Sequence, residues 1–300
     1  MEGQVRQSLS GYYDVESGGH MYRTRARGKL RQKRCAPLVG DRVEFKVDKG
    51  TEYGYLLRVF PRKNELVRPP VANIDCAIVV TAAVEPAFNQ NLLDRQLIML
   101  TAQQITPVLY FSKGDLMLPE QRIKLAEKVA YYQQFYRCFF PAKMDDQDTL
   151  TALRGTLTNQ VAVVMGQTGA GKSTLLNQLA PELALETGTV SKALSRGKHT
   201  TRRVTLLSVG TALIADTPGF SSFELRNLTR ENVPGLFPEF TSRQIGCKFR
   251  GCLHLNEPSC AVKAAVDDGQ IDQQRYADYV QFQDWLAHQR PRYGKNRGGI

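Results

Sequence analysis

Residues 161–180 read VAVVMGQTGAGKSTLLNQLA, in which an apolar run leads into a glycine-rich loop and a helix-forming segment. Residues 166–173 fit the pattern G-x-x-x-x-G-K-[ST], whose glycines let backbone N–H groups turn onto phosphates. Lys172 would reach the β- and γ-phosphates, Ser173 would ligate Mg²⁺, and the dipole of the following helix would face the same anion. The predicted nucleotide contacts of this loop are Gly166, Gln167, Thr168, Gly169, Ala170, Gly171, Lys172, Ser173 and Thr174.

Apolar segments alternate with helical segments upstream of this loop. The patterns predict strands at 75–81, 105–111, 137–140 and 161–165, and helices at 92–104, 119–134 and 150–157. Downstream, Val204–Val209 and residues 212–215 predict two strands joined by a turn at Gly210-Thr211. Such alternation is typical of an α/β domain with a mostly parallel sheet.

The tetrapeptide Asp216-Thr-Pro-Gly219 follows the last predicted strand. Asp216 would hold Mg²⁺ through a water, and the Gly219 N–H would sense a γ-phosphate, as in the switch of a GTPase. The preceding basic segment contains Thr200 and Thr201, and a threonine here would bind Mg²⁺ only while the γ-phosphate is present. Taken alone, this segment also fits an ordinary basic loop.

The base-selecting motif lies upstream of the phosphate loop. No N-K-x-D sequence follows Asp216, but Ser112-Lys113-Gly114-Asp115 comes directly after the strand predicted at 105–111. The Asp115 carboxylate, which only accepts hydrogen bonds, suits guanine N1–H and N2–H, and the Lys113 stem would cover the ring. The order of base motif first and phosphate loop second indicates a circular permutation.

The first 67 residues predict a small all-β barrel, because strand-like runs alternate with turn residues. Within them, six basic residues occupy alternate positions and would share one face of a regular strand, although Gly28 would bend it. They are Arg23, Arg25, Arg27, Lys29, Arg31 and Lys33. Together with the net charge of +11, this face favours a nucleic-acid partner, and a strand edge protected by charge is the alternative.

The C-terminal part carries a cysteine and histidine cluster with metal-ligand spacing. Cys247, Cys252, His254 and Cys260 supply three thiolates and one imidazole, which suits a closed, tetrahedral, structural Zn²⁺ site. Unrelated reduced thiols are the alternative. A polar helical stretch is predicted from residue 262 to about residue 289.

The sequence shows neither an apolar run of membrane-spanning length nor a recognisable secretory signal. No apolar run approaches the roughly 18–20 residues that span a bilayer. The N-terminus lacks the apolar core of a secretory signal. We therefore expect a cytoplasmic protein, and nothing in the sequence demands more than a monomer.

Taken together, these motifs resemble the ribosome small-subunit-dependent GTPases of the RsgA/YjeQ type. The resemblance covers nearly the whole chain, and it includes RGKLR at 27–31, PRKNELVRPPVANID at 61–75, RGKHTTR at 196–202, DTPGFSSF at 216–223 and the cysteine cluster. It implies a multi-domain α/β protein with an OB-fold RNA-binding barrel (1–67), a circularly permuted P-loop GTPase domain (68–228) and a helical zinc domain (229–300). It also implies one structural Zn²⁺, Mg²⁺ bound with GTP, and binding to the small (30S) ribosomal subunit and its rRNA.

The resemblance further assigns individual residues. It makes the backbone of Ala142, in the loop 141–143, a contact to guanine O6. Phe220 stands where many GTPases have a water-orienting glutamine, and the resemblance assigns the catalytic role to the switch-loop histidine His199 instead. The expected catalytic set is His199, Lys172, Thr200, Thr201 and Gly219. The family usually has Asn where this chain has Ser112, so we expect weaker guanine affinity, with Asp115 still favouring guanine over adenine.

Three functions compete at this point. The first is a GTPase that acts in late small-subunit maturation, with hydrolysis stimulated by the subunit. The second is an RNA-binding assembly checkpoint factor that uses nucleotide as a ligand and turns it over negligibly. A general P-loop ATPase is disfavoured by Lys113, Asp115 and the DTPG tetrapeptide.

Overall fold

A computed structural model describes residues 1–27, 36–48, 50–51, 53–67, 69–181, 204–216 and 228–288. The chain divides into two compact units, of which the first is Met1–Phe88 with Met99–Glu224 and the second is Asn89–Ile98 with Leu225–Ile300. Among the described residues, no helix is both long and apolar enough to cross a membrane.

The first unit begins with a closed five-stranded barrel. Its strands are β1 Glu2–Leu9, β2 Tyr12–Ser17, β3 His20–Ala26, β4 Arg42–Val47 and β5 Tyr53–Val59. They follow the order β1-β2-β3-β5-β4, and pairing of β1 with β4 closes the barrel. Alternate side chains point inward, so that Val5, Val15, Phe45 and Leu56 are fully buried. This OB-like barrel confirms the predicted N-terminal fold.

The remaining strands of this unit build a mostly parallel sheet. They are β6 Glu65–Val67, β7 Pro70–Ala72, β8 Cys76–Ala82, β9 Thr106–Ser112, β10 Arg137–Phe139, β11 Val161–Met165, β12 Val204–Val209 and β13 Ala212–Asp216. Apart from the separate β6-β7 pair, their order is β10-β9-β8-β11-β13-β12, and β12 runs antiparallel to β13. Each predicted strand of the α/β region is present, with ends shifted by no more than a residue.

The barrel and the parallel sheet are joined edge to edge. β1 pairs with β12 in antiparallel fashion, with Ser8 opposite Val204 and Gln7 opposite Thr205. The barrel strands and the six strands from β8 to β13 therefore form one eleven-stranded sheet. The sequence did not predict this junction, because a two-residue pairing leaves no periodic signal.

Helices cover the parallel sheet of the first unit and build the second unit. They are α1 Gln90–Ala102, α2 Pro119–Gln133, α3 Gln147–Leu157, α4 Lys172–Leu179, α5 Pro238–Thr241, α6 Ala261–Asp267 and α7 Gln273–Ala287. Leu153 and Leu157 of α3 share a core with Leu175 and Leu179 of α4. The helical stretch predicted from 262 to 289 is two helices, since the chain turns at Gly269, whose φ of +72° is a conformation that glycine adopts without strain.

The second unit has an aromatic core around a buried ion cluster. Phe237 stacks on Phe240 at 4.8 Å between ring centroids, and Tyr279 meets both rings edge-on. Arg275 is fully buried and forms ion pairs with Asp94 and Glu239, which are fully buried as well. Asp94 belongs to the first part of α1, which explains why residues 89–98 group with this unit.

Candidate nucleotide-binding site and metal cluster

The glycine-rich loop follows β11 at the carboxyl edge of the parallel strands. Gly166 has a φ of +142°, and a Cβ placed there would lie 2.0 Å from the Val80 carbonyl oxygen of β8. No side chain fits that approach, so glycine is required by both conformation and space. Gly169 and Gly171 also have positive φ values, of +83° and +90°. The loop therefore turns its backbone into a cradle directly before α4.

Lys172 lies at the centre of this cradle. Its Nζ donates to the carbonyl oxygens of Gly166 at 2.9 Å and Gln167 at 2.7 Å. Burial lowers the pKa of its ammonium group, because a charged group is poorly solvated there. Ser173 follows at the start of α4 and is exposed. A partly buried cation beside the backbone of this loop is suited to phosphate oxygens.

The upstream motif lies beside the phosphate loop. Ser112, the last residue of β9, is buried, and its Oγ donates to the Ala170 carbonyl at 2.6 Å. Lys113 adopts a left-handed conformation with a φ of +59°, and its Nζ donates to the Glu85 carbonyl oxygen. Asp115 follows in a short 3₁₀ turn and is exposed. The structure thus brings the two motifs together although 58 residues separate Ser112 from Ala170.

Gly114 holds a tight packing position between Lys113 and Asp115. A Cβ at Gly114 would lie 2.5 Å from Phe140 Cε2 and 2.6 Å from Arg122 Nη1. The Arg122 guanidinium lies 4.3 Å from the Phe140 ring centroid, and its Nη2 donates to the Pro141 carbonyl at 3.2 Å. Arg122 and Phe140 therefore support both halves of the predicted base site.

Asp146, three residues after the loop 141–143, also interacts with that loop. Asp146 caps α3 by accepting the Thr149 N–H at 3.1 Å. This hydrogen bond is the main cause of the lowered pKa of the Asp146 carboxyl, and the Ala142 N–H contributes to the same shift. The predicted O6-contacting residue thus lies between two fixed neighbours. Sequence reasoning missed Glu85, Arg122, Phe140 and Asp146 because no local motif distinguishes them.

The described residues contain only part of the predicted switch. β13 lies parallel to β11, with Ala215 opposite Val163, so the backbone of Asp216 ends at the same edge of the sheet as the phosphate loop. The side chain of Asp216 lies outside what the structure describes, as do His199, Thr200, Thr201 and Gly219. The basic residues Lys29, Arg31 and Lys33 of the barrel also lie outside the described residues.

The cysteine cluster is assembled in the second unit. The ligand atoms of Cys247, Cys252, His254 and Cys260 all lie within 4.8 Å of one another. His254 Nδ1 lies 3.3 Å from Cys260 Sγ and 3.6 Å from Cys247 Sγ, and these two sulfurs are 3.9 Å apart. Tetrahedral Zn²⁺ with bonds of about 2.0–2.3 Å requires ligand separations of roughly 3.3–3.8 Å. The cluster therefore could hold one metal ion, with Nδ1 as the histidine ligand atom.

Burial shifts the pKa of Cys252 and of His254 in this cluster. It raises the pKa of the Cys252 thiol to about 12 and lowers the pKa of His254, because both charged forms are poorly solvated. A neutral imidazole is the form that binds a metal, and a bound cation would favour the thiolate.

The histidine turn is fixed by groups around it. Glu257 accepts the N–H groups of Leu253 and Leu255, each at 2.8 Å, on either side of His254. Burial opposes ionisation of Glu257, but these backbone bonds outweigh it and lower the pKa of its carboxyl. Tyr276 donates its hydroxyl to the His254 carbonyl at 2.6 Å. These contacts support His254, whose φ is +56°.

Comparisons with known proteins agree with this architecture. Residues 59–226 match the family model described as RsgA GTPase, and residues 2–56 match the RsgA N-terminal domain. The small ribosomal subunit biogenesis GTPases RsgA of Limosilactobacillus reuteri and Limosilactobacillus fermentum are each 54% identical over 98% of this chain and 99% of the relative.

Two solved structures share the whole fold. YloQ, described as a circularly permuted GTPase, has a TM-score of 0.81 and 34% identity over 97% of this chain and 96% of its own. YjeQ from Thermotoga maritima has a TM-score of 0.82 and 29% identity over 96% and 99%. With the base motif on β9 preceding the phosphate loop after β11, these matches show that the chain is a circularly permuted GTPase and belongs to the RsgA GTPase family.

Proposed function

We propose that this GTPase acts in the late maturation of the small ribosomal subunit, and that binding to the subunit stimulates its hydrolysis of GTP to GDP and phosphate. The observation that carries the proposal is the hydrogen bond from Ser112 to Ala170, because it makes the base motif and the phosphate loop one site. The printed names of the relatives, small ribosomal subunit biogenesis GTPases, support the choice of partner.

The site residues have distinct proposed roles. Asp115 selects guanine by accepting from N1–H and N2–H, and the backbone of the loop 141–143 approaches O6 at Ala142. Lys172 and the backbone N–H groups of the loop bind the phosphates. Ser173 and Asp216 would hold Mg²⁺, which neutralises charge on the phosphates when bound. The exposure of Asp115 and the backbone position of Asp216 are consistent with these roles.

The switch residues remain proposals drawn from the sequence. His199 would position the attacking water, and Thr200, Thr201 and the Gly219 N–H would respond to the γ-phosphate. We expect His199→Ala to abolish subunit-stimulated hydrolysis while leaving GDP affinity within about twofold. Full stimulated turnover in that variant would remove His199 from the mechanism.

The barrel offers the surface for rRNA. Across β2, β3 and β5, Tyr12 lies opposite Arg25 and Arg25 lies opposite Tyr55. The Arg25 guanidinium stacks 4.1 Å from the Tyr12 ring centroid, and Tyr53 and Tyr55 are exposed by 58% and 39%. Guanidinium groups that contact phosphates beside rings that stack on bases are the combination that binds single-stranded nucleic acid. Arg23 and Arg25 share this outward face, as their alternation predicts.

A charge reversal on this surface tests the rRNA role. Arg25→Glu should weaken binding to purified small subunits by about tenfold or more at low salt, with a smaller effect at high salt. Arg137→Glu, an exposed change of the same charge on β10, is the matched control and should bind normally. Equal binding by the two variants would exclude this face of the barrel as the rRNA contact.

The proposed metal is one structural Zn²⁺. Its four ligands would all come from Cys247, Cys252, His254 and Cys260, which leaves no open position for catalysis. Three of the four ligands are buried, so the ion would stabilise the fold around it. The proposed domains are an RNA-binding barrel (1–67), a GTPase domain (68–228) and a zinc domain (229–300). We also propose that the protein is a monomer and is located in the cytoplasm.

The central experiment measures GTP and ATP hydrolysis with and without purified small or large ribosomal subunits. We expect slow hydrolysis of GTP alone, stimulation by the small subunit only, and little hydrolysis of ATP. Binding without turnover under all conditions would favour an assembly checkpoint factor instead. Equal stimulation by the large subunit, or equal use of ATP, would contradict the proposal.

A further inference from the structure

We propose that Ser112 is a positioning residue for the phosphate loop, so that guanine is recognised without a hydrogen bond from Ser112 to N7. The inference deepens the proposed function and rests on it for the identity of the base. It concerns the residue in the base motif whose side chain contacts the phosphate loop.

The direction of the hydrogen bond leaves Ser112 nothing to donate. A serine hydroxyl has one hydrogen, and a backbone carbonyl can only accept. At 2.6 Å, the Ser112–Ala170 contact is within the normal range for O–H···O bonds, so this hydrogen is committed to Ala170. Purine N7 is also an acceptor without a hydrogen. Ser112 therefore cannot bond to N7 while it holds the loop.

The surroundings of Ser112 favour the loop over the base. Ser112 is 8% exposed and Ala170 is fully buried, so their bond is shielded from water. The Ser112 carbonyl accepts the Ala83 N–H at 2.9 Å, which fixes the backbone of Ser112 beside the end of β8. Turning the hydroxyl toward a base would break the side-chain link between β9 and the phosphate loop.

The base choice must then come from other groups. N7 is present in guanine and in adenine, so a contact to it adds affinity for both and selects neither. Asp115 distinguishes them, because guanine offers N1–H and N2–H donors where adenine has an acceptor at N1. The absence of an N7 contact from Ser112 should therefore lower the overall purine affinity and leave the preference for guanine intact.

Replacing N7 by C–H tests this directly. With the full-length protein, we would compare GDP and 7-deaza-GDP in competition against a fluorescent GDP analogue. Wild type should bind the two within about twofold. Ser112→Asn, whose amide carries two hydrogens, should bind GDP more tightly and should prefer it over 7-deaza-GDP by about 5–10-fold, the value of one hydrogen bond.

Two further variants separate loop positioning from base contact. Ser112→Ala should weaken GDP and 7-deaza-GDP by the same factor, about 3–10-fold, because only the loop is affected. Ser112→Thr retains a hydroxyl and should restore binding of both ligands. A wild-type preference for GDP of fivefold or more that disappears in Ser112→Ala would overturn the inference.

A failure of this inference can be distinguished from a failure of the proposed function. If ADP competed as well as GDP, guanine selection would fail. The same measurement could then be made with ADP and 7-deaza-ADP, because both purines carry N7. A wild-type protein insensitive to N7 in that pair would still support the role of Ser112, and a fivefold loss would refute it.

Discussion

Substitution of Gly166 by alanine is the sharpest test of how the phosphate loop is built. The added Cβ would lie 2.0 Å from the Val80 carbonyl oxygen, whereas carbon and oxygen normally approach no closer than about 3.3 Å. Val80 is a buried residue of the central strand β8, so the loop rather than the sheet must move. The required displacement is about 1.3 Å.

Backbone strain adds to this displacement. The φ of +142° at Gly166 belongs to a region essentially restricted to glycine, and placing another residue there costs about 1–3 kcal/mol. Including the steric contact, we expect the free energy of unfolding of Gly166→Ala to fall by roughly 2–4 kcal/mol. A shift of about 1 Å in the loop that positions the phosphates should lower GTP turnover by about 100-fold.

Gly155→Ala provides the matched control. Gly155 is exposed in α3 and a Cβ there would meet nothing within 4 Å, so alanine should stabilise the helix by about 0.5–1 kcal/mol. Urea unfolding followed by circular dichroism, together with GTP turnover, measures both variants. A shift in the same direction for both, or normal turnover by Gly166→Ala, would show that the close approach to Val80 does not limit the loop.

The remaining predictions concern the second unit and two thiols of the parallel sheet. Arg275→Met should lower the free energy of unfolding in urea by about 3–5 kcal/mol, because Asp94 and Glu239 stay buried without their cation. Arg6→Met removes a partly exposed ion pair and should lower it by less than about 1 kcal/mol. Glu257→Gln should weaken Zn²⁺ retention against a chromogenic chelator by about tenfold or more, and the exposed Glu120→Gln should not. Removal of Zn²⁺ by chelation should open residues 228–288 to proteolysis while nucleotide binding persists, and a metal-free protein that stays protected there would contradict a structural role. Burial raises the pKa of Cys76 and of Cys138 to about 12, so both are protonated thiols at pH 8. Both should therefore resist alkylation by iodoacetamide until the protein is unfolded, which peptide mass spectrometry would measure.

Local spacing in the sequence was enough to predict the parts of the site that are contiguous in the chain. The phosphate loop could be read because its glycines, Lys172 and Ser173 lie within eight residues between a buried strand and a helix. The metal cluster could be predicted for the same reason, since its four ligands fall within residues 247–260. The alternation of strands and helices followed from hydrophobic periodicity, which reflects burial on one or both faces.

The helix predicted from 262 to 289 shows where periodicity fails. The polar pattern continues through residues 268–272, but the chain turns at Gly269 with a left-handed φ and starts a new helix, capped by Asp272. Hydrophobic periodicity does not register such a turn, whereas Gly269 and Asp272 are the local signals of a helix end and a new helix start.

Residue spacing alone is enough to identify a phosphate loop, a base motif and a cysteine and histidine cluster, and to place the base motif first. The contacts of the phosphate loop and the base motif appear only in the folded chain: Ser112 holds Ala170, Arg122 and Phe140 enclose Gly114, and β1 extends the sheet through β12. A sequence motif reflects only the requirements of residues that are close in the chain, whereas these contacts join residues that are far apart in it. The hydroxyl of Ser112 meets Ala170 because parallel strands end at one edge of the sheet, and that proximity arises only when the whole sheet is formed.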